Sequence, residues 1–179
     1  MTTNADIPRF AADRMLGRLA RWLRLCGVDV RYDMNLGGSA LLRAARAEAR
    51  LLLTRDKRLR TASDVLYLGS ERMREQLAEV LRRFAIDPSA HALTRCSRCN
   101  ATLHEISRET VMTRVPPFVY ASNDRFAECD RCGHIYWPAT HHARILEQMR
   151  LIRKGEESGN QAAEAAVFKL RSDAPGDYK

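Results

Sequence analysis

The chain has 179 residues, 45% of them hydrophobic and 29% charged, which is enough for one sizeable core with a small module beside it. Lysine and arginine outnumber the acids 30 to 22, giving a formal charge of +8 that is mostly arginine, the side chain suited to bidentate phosphate contacts. No apolar run approaches the roughly 20 residues of a membrane span and the first residues lack a signal-peptide core, so the expected location is the cytoplasm, with no membrane partner.

Residues 1–6 are polar, and Phe10–Ala12 is a candidate first strand. From Asp13 the chain reads as a helix closed by Gly27. Met15, Leu16, Leu19, Ala20, Leu23 and Cys26 recur at helical spacing and form a core face. Arg14, Arg18, Arg21 and Arg24 fall opposite, with Leu25 as the one apolar intruder. Asp13 admits two readings: an N-cap, worth about 1 kcal/mol, or an acid at the carboxyl end of a strand, where open α/β sheets bind ligands.

Val28–Tyr32 alternates like a short strand, Asp33 follows it, and Gly37-Gly38 marks a turn. Ser39 begins a second helix through about Ala49, with Leu41, Leu42, Ala45 and Ala49 inward. Leu51–Thr54 is a continuous apolar run of the kind found in buried parallel strands, and Asp56 lies just beyond it among Arg55, Lys57 and Arg58. Val65–Leu68 reads as a fourth strand. Ser70 precedes a helix with Met73, Leu77, Val80, Leu81 and Phe84 on one face. Alternating strands and helices predict a parallel, three-layer α/β domain ending near Asp87-Pro88.

Composition changes over residues 94–137. Glu105–Arg114 reads as a strand pair, and from His141 a last helix with Ile145, Leu146, Met149 and Ile152 is expected to pack back on the body. Gly155–Asn160 is linker-like and the remainder reads as a mobile tail. Cys96-Ser97-Arg98-Cys99 and Cys129-Asp130-Arg131-Cys132 are C-x-x-C knuckles. Each can supply two corners of a tetrahedron around zinc, and four thiolates leave no open position, so such a zinc is structural. In the cytoplasm this spacing favours metal over disulfides. Cys26, on the apolar helix face, reads as a core residue.

Asp13, Asp33 and Asp56 each follow a predicted strand, and in a parallel sheet those positions converge on one edge. Two carboxylates about 4 Å apart repel by roughly 4 kcal/mol at an effective dielectric near 20. Mg²⁺ or Mn²⁺ relieves such a cluster, because hard divalent cations favour carboxylate oxygens. The opposing reading makes Asp13 and Asp56 caps and Asp33 a turn residue.

Several of these stretches together resemble the Mut-seven C-terminal RNase domain family, a PIN-like nuclease fold with a zinc ribbon appended. The resemblance rests on Asp13 through Arg24, Leu52-Leu53-Thr54-Arg55-Asp56, Glu75-Gln76-Leu77, Arg95 through Asn100, Val115-Pro116, Phe126 through Cys132, and Ile135 through His141. It implies a PIN-like α/β domain over 1–90, a zinc ribbon over 91–142 and a C-terminal helix and tail over 143–179. It also implies a Mg²⁺- or Mn²⁺-dependent ribonuclease acting on single-stranded RNA, with Asp13 and Asp56 at the acidic positions. Where relatives usually carry an acid or two before the second helix, this chain has Asn35-Leu36-Gly37-Gly38-Ser39, and Asp33 is the nearest substitute.

The leading expectation is therefore a ribonuclease with Asp13, Asp56 and Asp33 as acids. Arg14, Arg18, Arg21, Arg24, Arg55, Lys57 and Arg58 are its candidates for the RNA backbone, and Arg98 and Arg131 stand at the knuckle tips. A non-catalytic RNA-binding protein with a degenerate acidic site competes with it, as does a zinc-ribbon protein that contacts another protein.

Overall fold

Four short strands, β1 (Phe10–Ala12), β2 (Val30–Tyr32), β3 (Leu51–Thr54) and β4 (Val65–Tyr67), form a parallel sheet in the order β2-β1-β3-β4. Three helices connect or cover them: α1 (Gly17–Leu25), α2 (Gly38–Ala47) and α3 (Met73–Arg83). The structure is a computed structural model that describes residues 7–137, 147 and 149–155.

β1 is buried at all three positions because it has a strand on each side and helices on both faces, which removes any polar alternation. Successive side chains go to opposite faces. Phe10 and Ala12 join Leu19 and Leu23 of α1 and Leu77 and Leu81 of α3 in the larger core. Ala11 and Leu52 join Leu41, Leu42 and Ala45 of α2 in the smaller one. The result is the expected three layers.

From β1 the chain crosses one face through α1 to β2, then the other face through α2 to β3, which lies on the far side of β1. The direction of winding therefore reverses between β1 and β3. Such a reversal opens a crevice at the strands' carboxyl ends. The register brings those ends level, with Ala12 opposite Tyr32 and Leu53, and Thr54 opposite Tyr67.

Gly27 closes α1 at φ +79°, where its N–H bonds the Arg24 carbonyl at 2.9 Å, and a Cβ there would run into the His91 carbonyl. α2 starts one residue before Ser39 and stops at Ala47. Ala49, expected inward, is exposed in the left-handed region at φ 50°, because the helix has already ended.

Residues beyond 94 build a second, antiparallel sheet of β5 (Leu103–Ile106), β6 (Phe126–Cys129) and β7 (Ile135–Tyr136), in the order β5-β6-β7. The strand pair expected over Glu105–Arg114 is not formed. β5 ends at Ile106 and a single helical turn, α4 (Arg108–Val111), follows. Val111 is fully buried against Val115, Val119 and Phe126, so packing overrides the strand preference of the Thr and Val residues there. Val119 comes from α5 (Pro117–Ser122), which begins on a proline that has no N–H to leave unpaired.

Residues 149–154 are helical, with Met149 and Ile152 packed on the larger core. Ile145, Leu146 and the tail beyond Gly155 lie outside the described residues. Cys26 is core, as expected; its Sγ lies 3.3 Å from Met149 Sδ, and burial pushes its thiol up to about 12. No helix among the described residues is long and apolar enough to cross a membrane.

Candidate functional site

At the carboxyl edge of β1 and β3 a cleft of about 770 Å³ opens, lined by Asp13-Arg14-Met15, Gly37-Gly38-Ser39 and Arg55 through Leu59. It lies at the reversal point between the two strands, so Asp13 and Asp56, 43 positions apart in sequence, line a common space. Its walls carry four cationic side chains, Arg14, Arg55, Lys57 and Arg58, against those two carboxylates.

Asp13 is nearly buried and makes no side-chain cap to the turn that follows it. Its Oδ2 instead accepts from the Thr54 hydroxyl at 2.7 Å. Thr54, wholly buried at the end of β3, also accepts from the Asp56 backbone N–H at 3.0 Å. One hydroxyl thus ties the two acid-bearing strand ends together. The local signal for this tie is a hydroxyl residue, Thr54, closing an otherwise apolar strand two positions before an acid.

Asp56 does cap its own turn. Its Oδ1 accepts from the Arg58 N–H at 3.0 Å, and the Arg58 guanidinium bridges both carboxylate oxygens, with Nη2 to Oδ2 at 2.7 Å. The Arg58 side chain, aided by its N–H, holds the Asp56 carboxyl down at about 2. Two carboxylates on one cleft are a fitting donor set for Mg²⁺ or Mn²⁺. Such a cation and Arg58 would compete for the same oxygens of Asp56.

Asp33 does not join them. It is absent from the cleft lining, accepts from the Asn35 N–H at 2.9 Å in a local turn, and stands 3.9 Å from Arg31. In the structure it closes that local turn. Among the cations, Arg55 pairs with Glu71 at 2.7 Å, while its Nε is buried with no hydrogen-bond partner among the described residues. Arg18 and Arg21 lie on the exposed face of α1, outside the cleft lining. Arg24 is not on a solvent face at all. It is 5% exposed and covered by the first cysteine knuckle, which removes it from the candidates for phosphate contact.

The cysteines form the second site. The Sγ atoms of Cys96, Cys99, Cys129 and Cys132 all lie within 4.8 Å of one another, and among the described residues they are the only such group of three or more metal-ligating side chains. Cys96 and Cys132 are 3.6 Å apart, and Cys99 and Cys129 3.4 Å. These separations are far from a disulfide's roughly 2 Å. They are near the sulfur–sulfur edge of about 3.8 Å that a tetrahedron with Zn–S near 2.3 Å requires. The cluster is consistent with a zinc ribbon.

Both knuckles use the same local fold. The Asn100 N–H bonds the Cys96 carbonyl at 2.9 Å, and the Gly133 N–H bonds the Cys129 carbonyl at 2.8 Å. Both turn residues have positive φ, 70° and 64°, which asparagine and glycine tolerate best. Burial works against ionising Cys96, but bonds from the Tyr136 hydroxyl and the N–H groups of Cys99 and Arg98 bring its thiol down to about 6. Cys132 goes the other way, up to about 12, through burial and its hydrogen-bonded neighbours Cys129, Cys96 and Cys99. Thiols packed this closely give up all their protons only to a cation.

Tyr136, inside the Ile135-to-His141 stretch, shares a 3.1 Å hydrogen bond with Cys96 Sγ and accepts from the Ser97 N–H at 3.0 Å. His104 pairs with Asp130 at 2.8 Å, and the His134 ring packs edge-on against Tyr136. Neither histidine belongs to the cysteine group.

No curated protein and no solved structure matches the chain. The model of the Mut7-C RNAse domain matches residues 8–149, a span that includes the acid-bearing strand ends and both cysteine knuckles. The chain therefore belongs to the Mut7-C RNAse domain family.

Proposed function

We propose that the protein is a metal-dependent ribonuclease that hydrolyses phosphodiester bonds of single-stranded RNA in the cleft between β1 and β3. One observation carries this reading: Asp13 and Asp56 line the same cleft at the sheet's reversal point and are linked through the Thr54 hydroxyl. Asp13 and Asp56 would hold Mg²⁺ or Mn²⁺. The bound cation would supply Lewis acidity and an activated water.

The chain's own residues do the rest. Thr54 fixes Asp13 Oδ2 and so aims the remaining oxygen of that carboxylate. Arg14, Lys57 and Arg58 meet the phosphates, and the start of α2 at Gly38-Ser39 adds N–H groups that favour an anion. The four cysteines would hold one structural zinc, and Arg98 and Arg131, both exposed, extend the basic surface beyond the cleft. Because phosphate contacts dominate, RNA affinity should fall steeply with salt.

A second reading, RNA binding without cleavage, is favoured by two specific observations. Asp33 lies off the cleft and Arg58 occupies both oxygens of Asp56. Metal-stripped protein incubated with labelled single-stranded RNA, with and without Mn²⁺, separates the two. Mn²⁺-dependent cleavage that disappears in Asp13→Asn and Asp56→Asn, with binding kept, supports the nuclease. Salt-sensitive binding with no cleavage under any metal supports the second reading and overturns the first.

A further inference from the structure

Arg24 sits in the polar repeat of α1, yet the structure buries it at a junction. Its Nε donates to the Val30 carbonyl at 2.9 Å, and its Nη1 donates to the carbonyls of Arg98 at 2.9 Å and Ser97 at 3.3 Å. Val30 lies in β2, one of the two edge strands of the parallel sheet, and Ser97 and Arg98 lie between the two cysteines of the first knuckle. Asn100 completes the seal. Its Oδ1 accepts from the Val30 N–H at 3.0 Å, and its Nδ2 donates to Asp29 Oδ1 at 2.8 Å. Both main-chain polar groups of Val30 are thus taken up by side chains, one of α1 and one of the knuckle.

The charge balance is unusual. A buried guanidinium is costly unless a negative charge compensates it. Arg24 donates to carbonyls here, while the neighbouring carboxylate, Asp29, is already paired with Arg50 at 2.6 Å and Arg95 at 3.5 Å. Burial acts against the charge of Arg24, and the groups that support it are, in order, Cys96, Cys99 and Asp29. A divalent metal held by four thiolates keeps a formal charge of −2, the sum of four negative sulfurs and one divalent ion.

We propose that Arg24 is the counter-charge of the metal–thiolate centre and couples its occupancy to the edge of the parallel sheet. With the metal bound, the knuckle carbonyls are fixed and the guanidinium lies beside a compensating anion. Without it, the knuckle loses its fixed shape, and Arg24 keeps its burial but loses its compensation. The contacts that satisfy Val30 then loosen together, so the metal's state reaches the sheet that carries the cleft. Arg24 acts here as a positioning residue, and the inference stands whether or not the cleft cleaves RNA.

The test uses the full chain loaded with zinc. Amide hydrogen exchange at Val30 and Arg31 should accelerate when the metal is removed with a chelator. Zinc release to a chromogenic chelator should be about 10- to 100-fold more favourable for Arg24→Met, the range seen when a metal ligand's outer partner is lost. Arg24→Lys, which keeps the charge but not the fork, should fall between. Asn100→Gly, which removes the side-chain bonds of the same junction while tolerating its positive φ and leaving the charge unchanged, should hold zinc better than Arg24→Met. Equal zinc release from Asn100→Gly and Arg24→Met, or unchanged exchange at Val30 after chelation, would overturn the proposal. Should Arg24→Met fail to fold, Arg24→Gln, polar but uncharged, takes its place in the zinc-release comparison, with the same outcomes expected and overturning.

Discussion

The Thr54 hydroxyl donates to Asp13 Oδ2 at 2.7 Å from a wholly buried position. Because the same oxygen accepts the Asp56 N–H, removing it leaves a carboxylate without its donor and an amide without its acceptor. Thr54→Val keeps the shape and should lower stability by about 1–3 kcal/mol, the cost of buried groups left unpaired. Cleavage should fall with it, and Thr54→Ser should retain most of both. Denaturant unfolding and a cleavage assay on the pair check this; indistinguishable Val and Ser variants would mean that the hydroxyl positions nothing.

Arg58 sets the acid behaviour of Asp56. The folded carboxyl titrates at about 2, through the Arg58 side chain first and its N–H second, against roughly 3.9 for an unfolded aspartate. The folded value is depressed, so the pair's contribution is fully present above about pH 4 and is lost as pH falls toward 2. The stability difference between the unaltered protein and Arg58→Met should therefore shrink over that window, read from unfolding midpoints at successive pH values. A difference that stays constant would show that the pair does not form in solution. The same substitution should tighten Mn²⁺ binding, measured by calorimetry, since it takes the guanidinium off both oxygens of Asp56 and leaves only the backbone N–H on Oδ1.

Asp33 offers a contrast with the two cleft acids. Asp33→Asn keeps an acceptor for the Asn35 N–H and should leave cleavage unchanged. Asp13→Asn and Asp56→Asn should abolish it while RNA binding remains. Loss of turnover in Asp33→Asn would show that this carboxylate reaches the reacting phosphate after all.

Two helix ends carry alanine in the left-handed region, Ala49 and Ala85, each exposed with φ 50°. Ala49→Gly and Ala85→Gly should each raise stability by about 1 kcal/mol, because glycine adopts that conformation without strain. Gly27→Ala should do the reverse and cost about 2 kcal/mol or more, since φ is +79° and the new Cβ meets the His91 carbonyl. Thermal unfolding of the three variants checks the signs.

Much of the α/β body was legible along the chain. The apolar spacing in Leu16, Leu19, Ala20 and Leu23, the buried run Leu51–Thr54 and the face of Leu77, Val80 and Leu81 are local patterns, and all are buried or half-buried where expected. The knuckles were equally plain, because two C-x-x-C pairs leave few other uses for their sulfurs. Less legible was the segment after Ile106. There Val111 became a one-turn anchor because Phe126 and Val119 were available to receive it.

Which residues turn inward along each element, and that four thiols would meet, follow from short-range spacing along the chain. Which polar residues come to share a site is set by long-range packing. Arg24 looks like any solvated arginine until Ser97 and Arg98, more than 70 positions away, cover it. Asp33 leaves the same sheet edge as Asp13 and Asp56, yet the winding reverses between β1 and β3 and not at β2. Periodicity reports the face a residue occupies; what that face meets depends on how distant segments pack against it.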